Sequence, residues 1–112
     1  KSYTGINQSK KLAEILPLES ADMNYWCGTQ IRIGGHRTMD KDLDVPCWSL
    51  AALFNILPKQ FDKYVKTLYW FDDKYHCSYE NENWESKYWM SADNLIDACY
   101  KMIIRLNELN LL

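Results

Sequence analysis

Residues 44–58 read DVPCWSLAALFNILP, an almost wholly apolar run held between Pro46 and Pro58. Read as a helix, this segment is hydrophobic all round, and such a helix must be buried on nearly every side. Asp44 is placed to cap its N-terminus. Pro46 falls in the first turn, where its missing N–H is not needed, and Pro58 stops it. The pattern predicts a helix over 44–57 that serves as the axle of the core.

With 112 residues, the chain is expected to form a single globular domain, residues 1–112. A chain of this length buries roughly two-thirds of its unfolded surface, enough for a core without staples. The charged fraction of 25 % is ordinary, but aromatics reach 14 %, with five Trp and eight Tyr. Two readings of that excess stand side by side: a bulky core with amphipathic rings at its rim, or a partner surface rich in Tyr and Trp.

The net charge of −2 comes with positive side chains scattered among acids. The basic footprint of a nucleic-acid binder is missing, so no nucleic-acid partner is expected. No apolar run reaches transmembrane length, and no secretory signal opens the chain. Cys27, Cys47, Cys77 and Cys99 are far apart, and with His36 and His76 they form no zinc knuckle. The cysteines suit buried free thiols in a reduced, cytoplasmic protein. No cofactor or metal is implied.

Along the chain, Ser9 caps a short helix that presents Leu12, Ile15 and Leu16 and stops at Pro17. Residues 24–33 alternate with period two, as a half-buried strand does, and Gly34-Gly35 ends it. After the 44–57 helix, residues 64–71, 75–80 and 84–90 read as strands separated by turns at 72–74 and 81–83. The period then changes: Leu95, Ala98, Cys99, Met102, Ile103, Leu106 and Leu109 form a helical stripe over 92–110. The order is α-β-α-β-β-β-α. It predicts an α+β fold, an antiparallel sheet of three to four strands covered on one face by helices.

Cys47-Trp48 is the sharpest catalytic candidate. A thiol in a first helical turn loses its proton more easily, and the pair resembles the Cys-Trp of papain-like thiol hydrolases. His76 on a strand would serve as base, with Asn81 or Asn83 to orient it. The glycine-rich approach of that signature is absent, and a buried structural cysteine is the competing reading. Gly34-Gly35-His36 lacks a phosphate-loop frame. Asp40, Asp42 and Asp44 alternate as in a calcium loop, but Val45 and Ala51 stand where such a loop needs Gly and Glu.

Two resemblances complete the reading. The strand-strand-strand-helix order of residues 64–110 is similar in topology to the half-fold of HicB-type antitoxins, with no shared motif. Three blocks (residues 11–23, 46–53 and 97–112) resemble small uncharacterised proteins of Bacteroides-type gut bacteria and their phages or mobile elements. That resemblance implies an accessory protein and carries no activity. The leading expectation is therefore a small non-enzymatic protein acting through protein–protein contacts. A cysteine hydrolase built on Cys47 and His76, and an antitoxin-like module, are the alternatives. Trp70, Trp84 and Trp89 fall on opposite faces of the expected meander, so some rings must lie away from the helices. They mark the expected interaction surface, for an unknown protein partner or for a homodimer.

Overall fold

A computed structural model describes residues 1–26, 30–33 and 44–112. Cys27, the Gly34-Gly35-His36 turn, Asp40 and Asp42 lie outside the described residues. The class is α+β, with three α-helices and two antiparallel sheets among the described residues. Two compact units, Lys1–Leu53 and Phe54–Leu112, divide the chain.

In Lys1–Leu53, helix α1 (Ile6–Ile15) begins after Gly5, whose N–H donates to Gln8 Oε1 at 2.9 Å. Ser9 is not the cap. It lies inside the helix, fully buried, with its hydroxyl 2.7 Å from that of Thr4. A 3-10 turn, Leu18–Ser20, follows Pro17. Strands β1 (Met23–Trp26), β2 (Gln30–Ile33) and β3 (Asp44–Cys47) form an antiparallel sheet in the order β2-β1-β3. The single strand expected over 24–33 is thus two antiparallel strands, with Met23 opposite Ile33. Period-two alternation continues through a reversal of direction and does not reveal it.

The helix expected over 44–57 is corrected here. Asp44–Cys47 is strand β3, with Met23 opposite Cys47 and Asn24 opposite Pro46. Pro46 pushes Val45 toward extended backbone, and β3 is an edge strand, where a residue without an N–H is tolerated. Asp44 is not the cap of this helix; its carboxylate accepts from Asn24 Nδ2 at 2.5 Å. The helix itself, α2 (Leu50–Ile56), is half the expected length. Ser49 caps it, its hydroxyl accepting from the Ala52 N–H at 3.3 Å and donating to the Asp22 carboxylate. Leu53 is buried, but Ala51 and Asn55 are exposed, so the helix is not buried all round. Of the fully buried apolar residues of this stretch, Cys47 and Trp48 precede the helix, Leu53 lies within it and Leu57 follows it.

In Phe54–Leu112 the sheet order is β4-β5-β6-β7, from β4 (Gln60–Phe61), β5 (Tyr64–Phe71), β6 (Lys74–Glu80) and β7 (Ser86–Ala92). Asp72 and Asp73 both take positive φ, 54° and 61°, and close a two-residue turn between β5 and β6. A pair of left-handed residues matches the strand twist, and Asp accepts that conformation more readily than most. Helix α3 (Leu95–Glu108) is capped by Asn94, whose Oδ1 accepts from the Asp97 N–H at 2.9 Å. It packs on β6 and β7 and buries Ile96, Ala98, Cys99, Met102, Ile103 and Leu106. Lys66 closes the last turn of α2: its ammonium donates to the carbonyls of Phe54 at 2.5 Å and Leu57 at 3.1 Å. It also lies 4.1 Å from the centre of the Phe54 ring.

Leu53→Ala is expected to cost about 2–5 kcal/mol, because it opens a cavity at a wholly buried site. Phe54→Ala should cost distinctly less, since Phe54 is only half-buried. Urea denaturation of the two variants checks this. A loss at Leu53 well below that range would show that it is not a core position.

Candidate functional site

Cys47 closes β3 with no solvent exposure. Its thiol donates to the Thr4 carbonyl at 3.5 Å, and the Thr4 hydroxyl donates to its sulfur at 3.7 Å. Thr4 also pairs with the backbone on both sides of Trp48: its N–H donates to the Trp48 carbonyl at 2.9 Å, and its hydroxyl accepts the Trp48 N–H at 3.1 Å. The Trp48 indole donates to Ser20 Oγ at 3.0 Å, and the Tyr25 hydroxyl donates to the Thr4 carbonyl at 2.7 Å. The expected position in a first helical turn is therefore wrong, and with it the helix-dipole argument for a reactive thiolate. Burial pushes the Cys47 thiol up, and it outweighs the hydrogen bonds from Thr4 and Ser9 that favour the anion. Burial likewise raises the Tyr25 phenol to about 12, with the Cys47 and Tyr3 side chains adding to the shift.

His76 lies in β6 and is almost wholly buried. Its Nδ1 accepts from the Trp89 indole N–H at 3.0 Å. That assignment leaves the proton on Nε2, which donates to the Phe71 carbonyl at 2.9 Å. Both ring nitrogens are engaged, so neither is free to take a proton from a nucleophile. The ring is stacked between Tyr69, at 4.9 Å and 24°, and Trp89, at 5.3 Å and 15°. Asn81 and Asn83 do not orient it. They belong to the β6–β7 loop, where Asn81 Oδ1 accepts the N–H groups of Asn83 at 2.9 Å and Glu85 at 3.0 Å.

The strand registers sort the side chains of this sheet into two faces. Leu68, Cys77 and Met90 lie across from one another on one face. This face meets α3, where the Cys77 and Cys99 thiols are neighbours; the Cys99 thiol and burial push Cys77 up. Phe61, Tyr79 and Tyr88 pack edge-on at its far end. The opposite face carries Val65, Thr67, Tyr69 and Phe71 of β5, His76, Ser78 and Glu80 of β6, and Trp89 of β7. Three members of it are buried polar residues: His76, Ser78 and Glu80. Burial and the neighbouring Glu80 carboxylate raise the Tyr69 phenol.

The three tryptophans expected at the surface are all exposed: Trp70 by 59 %, Trp84 by 80 % and Trp89 by 54 %. Phe71, at 67 %, and Val65 join them and were missed. Their signal was the phase of alternation in β5, which puts Val65 and Phe71 on the same side as Tyr69. Trp70 lies on the other face, at the end of β5 next to the turn. Trp84 belongs to no strand. It sits in the β6–β7 loop at φ 62°, its N–H donating to the Asn81 carbonyl at 3.0 Å. It lines a groove of about 570 Å³ between this loop and the β4–β5 turn, together with Val65, Thr67 and Glu80.

No helix among the described residues is long and apolar enough to cross a membrane. No group of three or more His, Cys, Asp or Glu side chains gathers among them as a metal site requires. No protein-family model, curated protein or solved structure matches this chain.

Cys47 should resist iodoacetamide near neutral pH and react only as fast as the protein unfolds, which peptide mapping of the labelled chain reads directly. Raising the pH through the ordinary thiol value near 9 should lower stability. The unfolded chain then releases protons that the folded chain retains. Rapid labelling of Cys47 in the native protein would contradict its buried placement.

Trp84→Gly should leave stability unchanged or raise it by up to about 1 kcal/mol. Relief of a left-handed conformation is worth about 1–2 kcal/mol, and the freedom glycine adds to the unfolded chain takes back about half of that. A loss above that size in urea denaturation would show that the ring holds the fold together.

Proposed function

We propose that this chain is a small non-enzymatic binding protein that acts through protein–protein contacts made by its β5-β6-β7 meander. One observation carries the reading: Trp89, Phe71 and Val65 are exposed on the sheet face away from α3, with Trp84 exposed at its rim. Single exposed apolar residues are ordinary, but several large ones on one face of a small domain mark an interaction site. Trp and Tyr are the side chains most enriched at such sites, since they cover much area at little entropic cost. The Trp89 ring is held by its hydrogen bond to His76 and its stacking on that ring, so it is presented in one orientation. A preordered ring loses less freedom on binding. The accessory role implied by the resemblance to the Bacteroides-type group agrees with this reading. The hydrolase alternative is disfavoured by a buried, protonated Cys47 and by a His76 with both nitrogens engaged.

Photoactivatable cross-linkers placed singly at positions 89 and 84, with exposed Glu14 as the control position, test this in extract of the native host. Discrete adducts from 89 and 84 are expected, absent from position 14 and competed away by excess unmodified chain. An adduct of twice the chain mass would identify the partner as a second copy. The Trp89→Ser chain should compete poorly. Identical patterns from all three positions would overturn the proposal.

A further inference from the structure

The groove beside Trp84 has a chemistry of its own. Three carboxylates line it, those of Asp62, Glu80 and Glu82, against one ammonium, that of Lys63. Glu80 is almost wholly buried, with one oxygen accepting from Ser86 Oγ at 3.3 Å. Among the described residues, Asp62 and Glu82 have no ion-pair or hydrogen-bond partner for their carboxylates, and Lys63 pairs with neither. The Trp84 indole likewise has none. The loop that presents it is rigidly built: Asn81 holds two backbone N–H groups with its side-chain oxygen and donates from Nδ2 to Glu85 Oε1 at 3.2 Å. Both lips carry a non-glycine residue in the left-handed region, Asp62 at φ 55° and Trp84 at φ 62°. Such conformations persist where the surroundings hold them, and they concentrate at binding sites.

We propose that this groove receives an arginine side chain from a basic segment of a protein partner, its guanidinium stacked on the Trp84 indole and neutralised by Asp62, Glu82 and Glu80. The inference rests on the protein-contact reading above and names the chemistry of the partner. The excess of carboxylates calls for a cation. An exposed indole face attracts one through its quadrupole, and Trp is the strongest ring for it. Arginine fits better than lysine, because a planar guanidinium can lie flat on the ring while its edge donates to carboxylates. A volume of about 570 Å³ lies within the range of binding clefts and exceeds what one side chain fills. Val65, which lines it, shares a sheet face with Phe71 and Trp89, where the residues flanking the arginine would lie. The same carboxylates repel a nucleic-acid backbone.

The test is an NMR titration of the full ¹⁵N-labelled chain, following the indole N–H of Trp84 and the amide of Glu82. The probes are an acetylated tetra-arginine amide, its tetra-lysine counterpart and maltotriose, a neutral sugar that could also stack on an exposed indole. The arginine peptide should shift both signals saturably, and tetra-lysine should bind about fivefold more weakly or worse. Trp84→Ala and the Asp62→Asn/Glu82→Gln pair should each weaken arginine binding about tenfold, and added salt should weaken it further. All of these residues except Glu80 are exposed, so the variants should keep the parent spectrum elsewhere. No saturable shift with tetra-arginine would overturn the inference. So would equal binding of the two peptides that survives Trp84→Ala, or a shift of Trp84 by maltotriose alone. If the cross-links from position 89 form while the arginine peptide is ignored, only the groove assignment fails. If the peptide saturates the groove while no cross-link forms, the cation site stands and the partner reading fails.

Discussion

Strand β6 is the constraint on which the larger unit depends. It pairs with β5 along its whole length and with β7 over most of it, and its last five residues, 76–80, are all buried. A central strand buried on both faces has to satisfy two environments at once. Cys77 and Tyr79 point to the α3 side, where apolar packing suffices. His76, Ser78 and Glu80 point the other way and bring polar atoms into a dry layer, where each needs a partner. His76 is satisfied by Trp89 and the Phe71 carbonyl, and Glu80 by Ser86. Among the described residues, Ser78 Oγ has no partner within hydrogen-bonding distance. Much of the aromatic architecture of that face follows from the need to house a buried imidazole between two rings.

In the smaller unit the corresponding role falls to Thr4. One side chain and its peptide tie α1, the end of β3 and the Tyr25 ring together through hydrogen bonds to Ser9, Cys47, Trp48 and Tyr25. All of these groups but the half-buried Tyr25 are buried, and an unmade hydrogen bond there costs more than a made one contributes. Cys47 is therefore a packing residue within a hydrogen-bonded knot. The environment that makes it a good structural thiol, burial with no cation beside it among the described residues, also disfavours its thiolate.

The candidate site has a different balance. Its apolar rings are outside, and its polar groups are partly inside, an inversion of the usual arrangement. Burying Trp89, Phe71 and Val65 against a partner would remove apolar surface from water. The polar groups beneath are already paired within the chain, apart from Ser78. The groove at the rim contributes charge, which sets specificity and encounter rate more than it sets affinity. The proposed function draws on this division, with rings for affinity and carboxylates for selection.

The sequence by itself determined the α+β class, the meander, α3 and its stripe, and it called for some exposed rings among Trp70, Trp84 and Trp89. Each rests on a local signal: a period of two, a period of 3.6, turn residues, or more rings than one layer accepts. Tertiary structure decided what local signals leave ambiguous. Residues 44–47 are apolar enough for a buried helix or a buried strand, and only pairing with β1 made them a strand. Ser9 has the chemistry of a cap, but Gly5 and Gln8 formed that cap and left Ser9 to Thr4. His76 looks like a base on paper; the rings of Tyr69 and Trp89, distant in sequence, occupy its faces and one of its nitrogens. The groove joins residues 60–67 to residues 80–84, and no periodicity within either segment announces the other. Periodicity reports which side of an element is wet, whereas the partner an element finds is set by packing across the chain, which single-segment patterns do not encode.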